Sequence, residues 1–244
     1  MLLRRVIEHV RTQNWTAVAL DFVIVVVGVF IGIQVANWNG SRQDRHDEET
    51  FLNRLHDDIV RAEEQTERVR VRRLDRLASI QEAANVIFLR DGATALTQQQ
   101  CNDVGASHYF NIIPSAFPAL NELIGSGRVG IIQDADLRTA LVTYEQAREA
   151  LEFYIMLQAT NSHDLVARHP DLIQLESYFD EDLGETGVSA QCNLSGMQAS
   201  VRFRNDFSAN TDMYDAFVRD ALAPWSEALA AAHHLVDNKL AYAH

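Results

Sequence analysis

The apolar stretch that decides the architecture covers residues 16–36 and reads TAVALDFVIVVVGVFIGIQVA. About 20 helical residues, each rising about 1.5 Å, cross the ~30 Å hydrocarbon core of a bilayer. Trp15 and Trp38 stand at the two ends, where amphipathic rings favour the membrane interface. A cleaved signal peptide is the competing interpretation, but its apolar region usually has only about 7–15 residues. The sequence therefore predicts a transmembrane helix over residues 16–38, with Trp15 and Trp38 as interface anchors.

Small and polar residues inside the predicted span bear on its packing. Gly28 and Gly32 form a Gly-x-x-x-Gly pair, which lets a second helix approach closely, although such pairs are also common by chance. Asp21 and Gln34 are intramembrane polar residues. A carboxylate at mid-span costs about 2.5–3.5 kcal/mol on insertion scales. Because Asp21 lies near the cytoplasmic boundary, we expect it to reach headgroup water; a polar contact with another helix is the alternative.

The charges before the span predict its orientation. Residues 1–15 carry Arg4, Arg5 and Arg11, and positive charge favours the cytoplasmic side. This segment is expected to be an amphipathic helix on an anionic leaflet or a ragged basic tail. Positive charge throughout the chain is almost entirely arginine, which we take as a sign of a GC-rich bacterial source. We therefore expect a bacterial inner-membrane protein with residues 39–244 in the periplasm.

The composition is that of one ordinary folded domain after the anchor. The chain has 244 residues, of which 47% are apolar, enough to build one core. The net charge of -13 disfavours nucleic acid as a partner, because phosphate repels an acidic surface. Cys101 and Cys192 lie outside any Cys-x-x-Cys spacing. In an oxidising compartment they can form a bridge that closes a loop of about 90 residues; two free thiols are the alternative.

Helical periodicity dominates the soluble part. Apolar residues step by three and four through residues 47–89, which predicts a helix of about 40 residues with a near-heptad seam, after a break at residues 37–41. Further long helices are expected over residues 134–169 and 208–240, the last kinked or split at Pro224. No strand period is visible. The predicted fold class is all-α, a transmembrane helix followed by an up-and-down bundle of long helices.

A glycine motif at residues 125–130 spells Gly-x-Gly-x-x-Gly. In a dinucleotide-binding fold those glycines follow a strand and open a helix. Here a helical pattern precedes them, and the next helix is expected to open only at Asp134. The motif is therefore predicted to end a helix, with glycine in the left-handed conformation, and no cofactor is expected.

Histidines and carboxylates offer ligands for a metal ion, but no group has a recognisable spacing. The histidines of the first group are six residues apart, unlike a helical i, i+4 pair; the group comprises His163, Asp164, His169 and Asp171. His233 and His234 are adjacent and diverge by about 100° on a helix, so they need further ligands to chelate an ion. His56 lies among charges and is expected on a solvated face. No metal ligand or catalytic residue is assigned, and the protein is expected not to be an enzyme.

A basic run in the long helix is the remaining candidate surface. Arg68, Arg72 and Arg76 share one helix face. Surface pairing is the default expectation, for example between Glu64 and Arg68 at i, i+4. The sharper hypothesis is a docking patch for an acidic surface of the same or a neighbouring subunit.

Short motifs in a fixed order resemble a known family over most of the chain. They are GVFIGIQVANWN, ALNELIGSGRVGIIQDADLRTALVTYEQ and VRFRNDF. The chain resembles a bacterial domain-of-unknown-function family of single-pass membrane proteins, labelled six-zero-nine-zero. The matching residues are Gln34, Asn37, Trp38, Asn39, Ser126, Gly127, Leu137 and Arg138. The resemblance implies the membrane-anchored architecture and brings no activity with it.

The leading functional hypothesis is a membrane-anchored periplasmic helical module. It would act as a non-enzymatic scaffold, a self-assembling protein or an accessory subunit of an envelope complex. The expected partners are the lipid bilayer, a second copy of the chain and another membrane protein complex. The alternative is a periplasmic ligand-binding sensor bundle that works through a partner, because only about 15 residues are expected in the cytoplasm. An enzyme whose site is assembled from the histidines and carboxylates is the third hypothesis.

Overall fold

The structure, a computed structural model, describes residues 15–90, 92, 94–110, 114, 116–180 and 184–241. The predicted amphipathic segment at the N-terminus lies outside these residues. The chain divides into two compact units, Met1–Phe51 and Leu52–His244. The helices are α1 (Trp15–Ile87), α2 (Gln98–Gly105), α3 (Pro118–Gly125), α4 (Ala135–Asn161), α5 (Leu165–Arg168), α6 (Leu194–Ala199), α7 (Val201–Phe217) and α8 (Ala223–Leu240). The strands are β1 (Ile173–Asp180) and β2 (Glu185–Cys192), and there is a 3-10 turn, Val129–Ile131, and a π-helical turn, Val218–Leu222.

Helix α1 is a single helix of 73 residues, and the predicted break at residues 37–41 is wrong. The Ser41 hydroxyl donates to the carbonyl of Asn37, one turn earlier, at 3.0 Å. It therefore bonds within a continuing helix instead of capping a new one. Gly40 costs about 1 kcal/mol in a helix interior, and the helix continues through it because no proline removes a backbone bond there.

The apolar seam predicted in the long helix is confirmed as a core face of the unit Leu52–His244. Leu55, Ile59 and Ile80 are fully buried, and Ala62 is 2% exposed. Their spacing of three and four residues places them on one side of α1. The periodicity therefore identified the buried side of this helix.

The second long helix begins where the sequence predicted and ends earlier. The Asp134 carboxylate accepts from the backbone N–H of Asp136 and Leu137, at 2.9 and 3.0 Å, which is N-cap geometry. Helix α4 ends at Asn161, before the predicted residue 169. Asp164 then caps the separate short helix α5, and this second cap explains why one continuous helix was a wrong prediction.

Pro224 interrupts the last long helix, as predicted. The π-helical turn lies directly before it, and Pro224 stands in the first turn of α8. A proline lacks the N–H that would bond to the carbonyl of Asp220. Trp225 follows and is 1% exposed, so the interruption occurs in the core, where α8 packs along α4.

The protein is mostly helical, but the all-α prediction missed a β-hairpin. Strands β1 and β2 pair antiparallel from Ile173 opposite Cys192 to Asp180 opposite Glu185. Gly184 has a φ of +67° at the turn, a conformation that glycine adopts without a steric cost. Large apolar side chains on both faces of the hairpin are exposed, namely Leu175, Tyr178, Phe179 and Val188. No clean apolar alternation was therefore available to reveal the strands.

Candidate functional site

The apolar part of α1 is exposed in the unit Met1–Phe51. Thirteen large apolar side chains from Leu20 to Trp38 are 48–69% exposed, and the polar Asp21 and Gln34 are exposed among them. Among the described residues, α1 is the helix long and apolar enough to cross a membrane, with a mean hydropathy of 2.4 over 18 residues. None of that window is buried, whereas the core helix of a soluble protein is mostly buried. This surface therefore lacks the cover that a protein core would give it.

The predicted anchor and packing residues lie on this helix. Trp38 is 62% exposed, and the side chain of Trp15 lies outside the described residues. A Cβ atom added at Gly28 or Gly32 would meet nothing within 4 Å. The glycine face of the helix is therefore open to close approach by a second helix.

A disulfide bond joins the two cysteines across a sequence separation of 91 residues. Cys101 lies in α2 and Cys192 ends β2. Beside the bridge, the N–H of Ala190 donates to Asn102 Oδ1 and its carbonyl accepts from Gln98 Nε2, both at 2.8 Å. The covalent bond and these two hydrogen bonds fasten the hairpin to α2.

The three arginines of the predicted docking patch have different surroundings. Arg76 Nε donates to Asp103 Oδ1 at 3.0 Å, and Gln99 Nε2 donates to the other carboxylate oxygen at 2.7 Å. Asp103 is only 2% exposed. Arg72 Nε instead donates to the carbonyl of Arg68 at 3.2 Å, and both of these arginines are exposed. Arg76 is therefore tied to a buried carboxylate, and docking through Arg68 and Arg72 stays a prediction.

A cleft of about 580 Å³ lies beside this ion pair, lined by residues of α2, α5 and the hairpin. Arg76, Asp103 and His108 contribute polar walls, and Val188 contributes an apolar one. Burial lowers the pKa of His108 below its ordinary value of 6.5, while the charge of Asp164 opposes that shift. Small-molecule sites commonly have volumes of roughly 300–1,000 Å³, so the cleft is large enough for a small ligand.

The first predicted group of metal ligands is arranged around a carboxylate that the sequence analysis did not include. His169 Nε2 and Arg168 Nε lie 2.9 and 3.2 Å from Asp206 Oδ2. His163 Nε2 is 3.8 Å from the other oxygen of Asp206. Asp164 instead accepts from a backbone N–H of α5 at 3.0 Å. This group is thus a polar network around Asp206, with an ion pair to Arg168 and a helix cap beside it.

A second cluster lies where α1 meets α8. His56 Nε2 is 3.3 Å from Asp237 Oδ1, and His233 Nε2 is 3.4 Å from Asp237 Oδ2. On its other side, His233 Nδ1 is 2.8 Å from Glu63 Oε2. One ligand atom from each of the two histidines and from Asp237 lie within 4.8 Å of one another. The adjacent His234 is exposed and is not part of this group.

This second cluster was not predicted from the sequence. The expectation that His56 lies on a solvated face is wrong, because its side chain is only 15% exposed. His233 and Asp237 have the i, i+4 spacing that places two side chains on one helix face, and this signal was available. The approach of His56 depends on the packing of α1 against α8, which no local pattern records.

The glycine motif ends α3, as predicted. Gly127 has a φ of +70°, and its N–H donates to the carbonyl of Ile124 at 3.0 Å. The N–H of Arg128 donates to the carbonyl of Leu123 at 3.0 Å. These bonds satisfy carbonyls at the helix end, which is the function of a left-handed glycine cap.

Comparison with known proteins identifies a family for the chain. A family model, described as a family of unknown function (DUF6090), matches residues 21–163, which is more than half of the chain. The matched residues include most of α1 and extend through α4 to His163. No curated protein and no solved structure matches the chain.

Proposed function

We propose that this chain, which belongs to the DUF6090 family of unknown function, is a membrane-anchored helical module. In this proposal it acts as a non-enzymatic scaffold or accessory subunit of an envelope complex. The observation that carries the proposal is the exposed apolar surface of α1 between Leu20 and Trp38. That the module has no enzymatic activity is also part of the proposal.

The size of the exposed surface supports insertion into lipid. Complete burial of a large apolar side chain contributes about 1.5–3 kcal/mol. Since the thirteen side chains are about half exposed, covering them contributes on the order of 1 kcal/mol each, or roughly 13 kcal/mol in total. Asp21 in this segment costs about 2.5–3.5 kcal/mol on insertion scales. The balance favours the bilayer by a wide margin.

The orientation that we propose places residues 39–244 on the periplasmic side of a bacterial inner membrane. Arg4, Arg5 and Arg11 precede the span, and positive charge is retained in the cytoplasm. The disulfide between Cys101 and Cys192 supports the same orientation, because such bonds persist in oxidising compartments.

Self-association through α1 is the proposed mode of assembly. The open face at Gly28 and Gly32 allows two helices to pack at short distance. Within each copy, the long helices of the soluble part form an up-and-down bundle in this proposal. A scaffold of this kind presents the soluble part to the other subunits of the complex.

Membrane fractionation of the full-length chain tests the anchor. We expect the protein to sediment with membranes, to resist an alkaline wash, and to be digested by protease added to cells with an opened outer membrane. The triple substitution Val25→Arg, Val26→Arg and Val29→Arg costs about 2.5–3.5 kcal/mol for each charge at mid-span and about 1 kcal/mol for each valine lost, so it should release the chain. The matched control is Val71→Arg with Leu74→Arg and Ala78→Arg, on exposed positions of the same helix. Release of the wild-type chain by the alkaline wash would contradict the proposal.

A ligand-binding sensor is the second candidate, and the 580 Å³ cleft beside Asp103 favours it. Ligand binding raises the melting temperature by mass action. A thermal-shift screen of small molecules should therefore yield compounds whose effect disappears when Val188→Trp fills the cleft. The control Val201→Trp changes an exposed position in α7. If no compound stabilises the wild-type chain, the scaffold proposal stands without the sensor.

A further inference from the structure

We propose that His56, His233 and Asp237 form a binding site for a divalent transition-metal ion, with zinc as the ion of choice. The site is independent of the membrane-anchor proposal. It would connect α1 to α8 through one ligand from the first helix and two from the second. The positions of the ligand atoms, the carboxylate on the far side of His233, and the burial of the side chains support the site.

The ligand atoms have the spacing that a small metal ion requires. Zinc binds imidazole nitrogen at about 2.0–2.1 Å and carboxylate oxygen at about 2.0–2.2 Å in tetrahedral geometry. Two donors at such distances are therefore about 3.4 Å apart. The Nε2 atoms of His56 and His233 lie 3.3 and 3.4 Å from the two oxygens of Asp237, and one ligand atom from each residue lies within 4.8 Å of the other two, so side-chain movements of about 1 Å would direct the three groups at one ion.

Glu63 fixes the orientation of His233. Its Oε2 lies 2.8 Å from His233 Nδ1, where it accepts the proton of that nitrogen. In this tautomer the lone pair of His233 Nε2 faces the carboxylate of Asp237, 3.4 Å away, and a metal ion bound between the two groups would be attracted by both. A carboxylate that accepts from the far nitrogen of a ligating histidine is a recurrent feature of zinc sites. Glu63 is therefore a positioning residue in the proposed site.

Burial distinguishes this cluster from the surface histidines. The side chains of His56, His233 and Asp237 are 15, 16 and 14% exposed, so they are largely shielded from solvent. A nitrogen-rich set of two imidazoles and one carboxylate suits zinc and other first-row transition ions, whereas magnesium and calcium prefer oxygen ligands. A fourth position is left for a solvent ligand when the ion is bound.

A proton shared among these groups is the alternative to a metal ion, and the experiment separates the two cases. A protonated network of histidines and carboxylates needs no metal and takes up none. In the metal site, zinc replaces that proton and raises the melting temperature by holding α1 and α8 together. At a zinc concentration about 100 times the dissociation constant, the expected rise is about 5–10 °C.

The test uses the full chain in detergent, purified with a tag that contains no histidines. After treatment with a chelator and reloading with excess Zn²⁺, gel filtration removes unbound ion and mass spectrometry measures bound zinc. We expect about one zinc per chain for the wild type and for His234→Ala, the matched surface control. His233→Ala, His56→Ala and Asp237→Asn should each weaken binding at least about tenfold, and Glu63→Gln should weaken it about tenfold.

A spectroscopic readout keeps the proposal testable if a variant fails to fold. Co²⁺ bound to the wild-type chain should give the visible absorption of a four-coordinate ion, and Zn²⁺ should displace it. Melting curves in chelator identify variants that are unfolded without metal, and for these the wild-type spectrum decides. Fewer than about 0.1 zinc per wild-type chain, no cobalt spectrum, or equal loss of zinc in His234→Ala would overturn the site.

Discussion

Removal of the bond between Cys101 and Cys192 should destabilise the unit Leu52–His244 strongly. The bond closes a loop of 91 residues, and the chain-entropy relation for a loop of this size gives about 4–5 kcal/mol at 25 °C. For a unit of about 190 residues, 1 kcal/mol corresponds to about 2–4 °C in melting temperature. The double variant Cys101→Ala, Cys192→Ala should therefore melt roughly 8–20 °C below the wild type. Alanine is the suitable replacement because Cys101 is 5% exposed, and serine would bury a hydroxyl there.

The assay is thermal unfolding of the full chain in detergent, followed by fluorescence, since Trp225 is 1% exposed and reports on the core. Reductant supplies the internal control: it should lower the melting temperature of the wild type and leave the double variant unchanged. Amide exchange in β2 should accelerate in the same variant, because the bridge holds that strand to α2. Melting within about 2 °C of the wild type would refute the loop-closure reasoning.

Three further predictions concern the core, the buried ion pair and the membrane helix. Burial raises the pKa of Tyr144 to about 12. The stabilisation that this group contributes is then fully present below about pH 10 and is lost as pH rises toward 12, by roughly 2–3 kcal/mol. Tyr144→Phe should remove that part of the alkaline loss of stability, as measured by melting curves at pH 9 and 11. Arg76→Ala leaves the carboxylate of Asp103 without its cationic partner and should lower the free energy of unfolding by about 3–5 kcal/mol. The control Arg72→Ala should change it by less than about 0.5 kcal/mol. Equal effects of the two variants in denaturant titrations would contradict the role of Arg76 as the partner of Asp103. Gly28→Leu with Gly32→Leu should abolish dimers in detergent cross-linking while Val29→Leu preserves them, and unchanged cross-linking would exclude this helix face from assembly.

Properties that depend on one element were available from the sequence. The apolar span is a matter of length and composition, and the cap at Asp134 depends on residues within one turn. The core face of α1 follows from a repeat of three and four residues, and the interruption at Pro224 follows from a missing N–H. These features record how a segment meets its solvent or its own backbone, so they persist whatever the segment packs against.

Local sequence patterns gave wrong predictions at residues 37–41 and at the hairpin. The segment at residues 37–41 contains turn-forming residues, yet the helix continues because helix propagation is cooperative and a lone glycine costs little. The hairpin lacks an alternating apolar face, since Leu175 and Tyr178 are both exposed on opposite sides. Its attachment to α2 through Cys192 and Ala190 holds the two strands in place, and the sequence of the hairpin alone does not predict this attachment.

The tertiary structure alone decided which distant side chains meet. Arg76 contacts Asp103, His169 contacts Asp206, and His56 contacts Asp237, each across a long separation in the chain. Sequence periodicity identifies the side of a helix that is buried but carries no information on the element that buries it. The partner depends on how whole helices pack and cross. His56, which was predicted to lie on a solvated face, therefore lies in a cluster between α1 and α8.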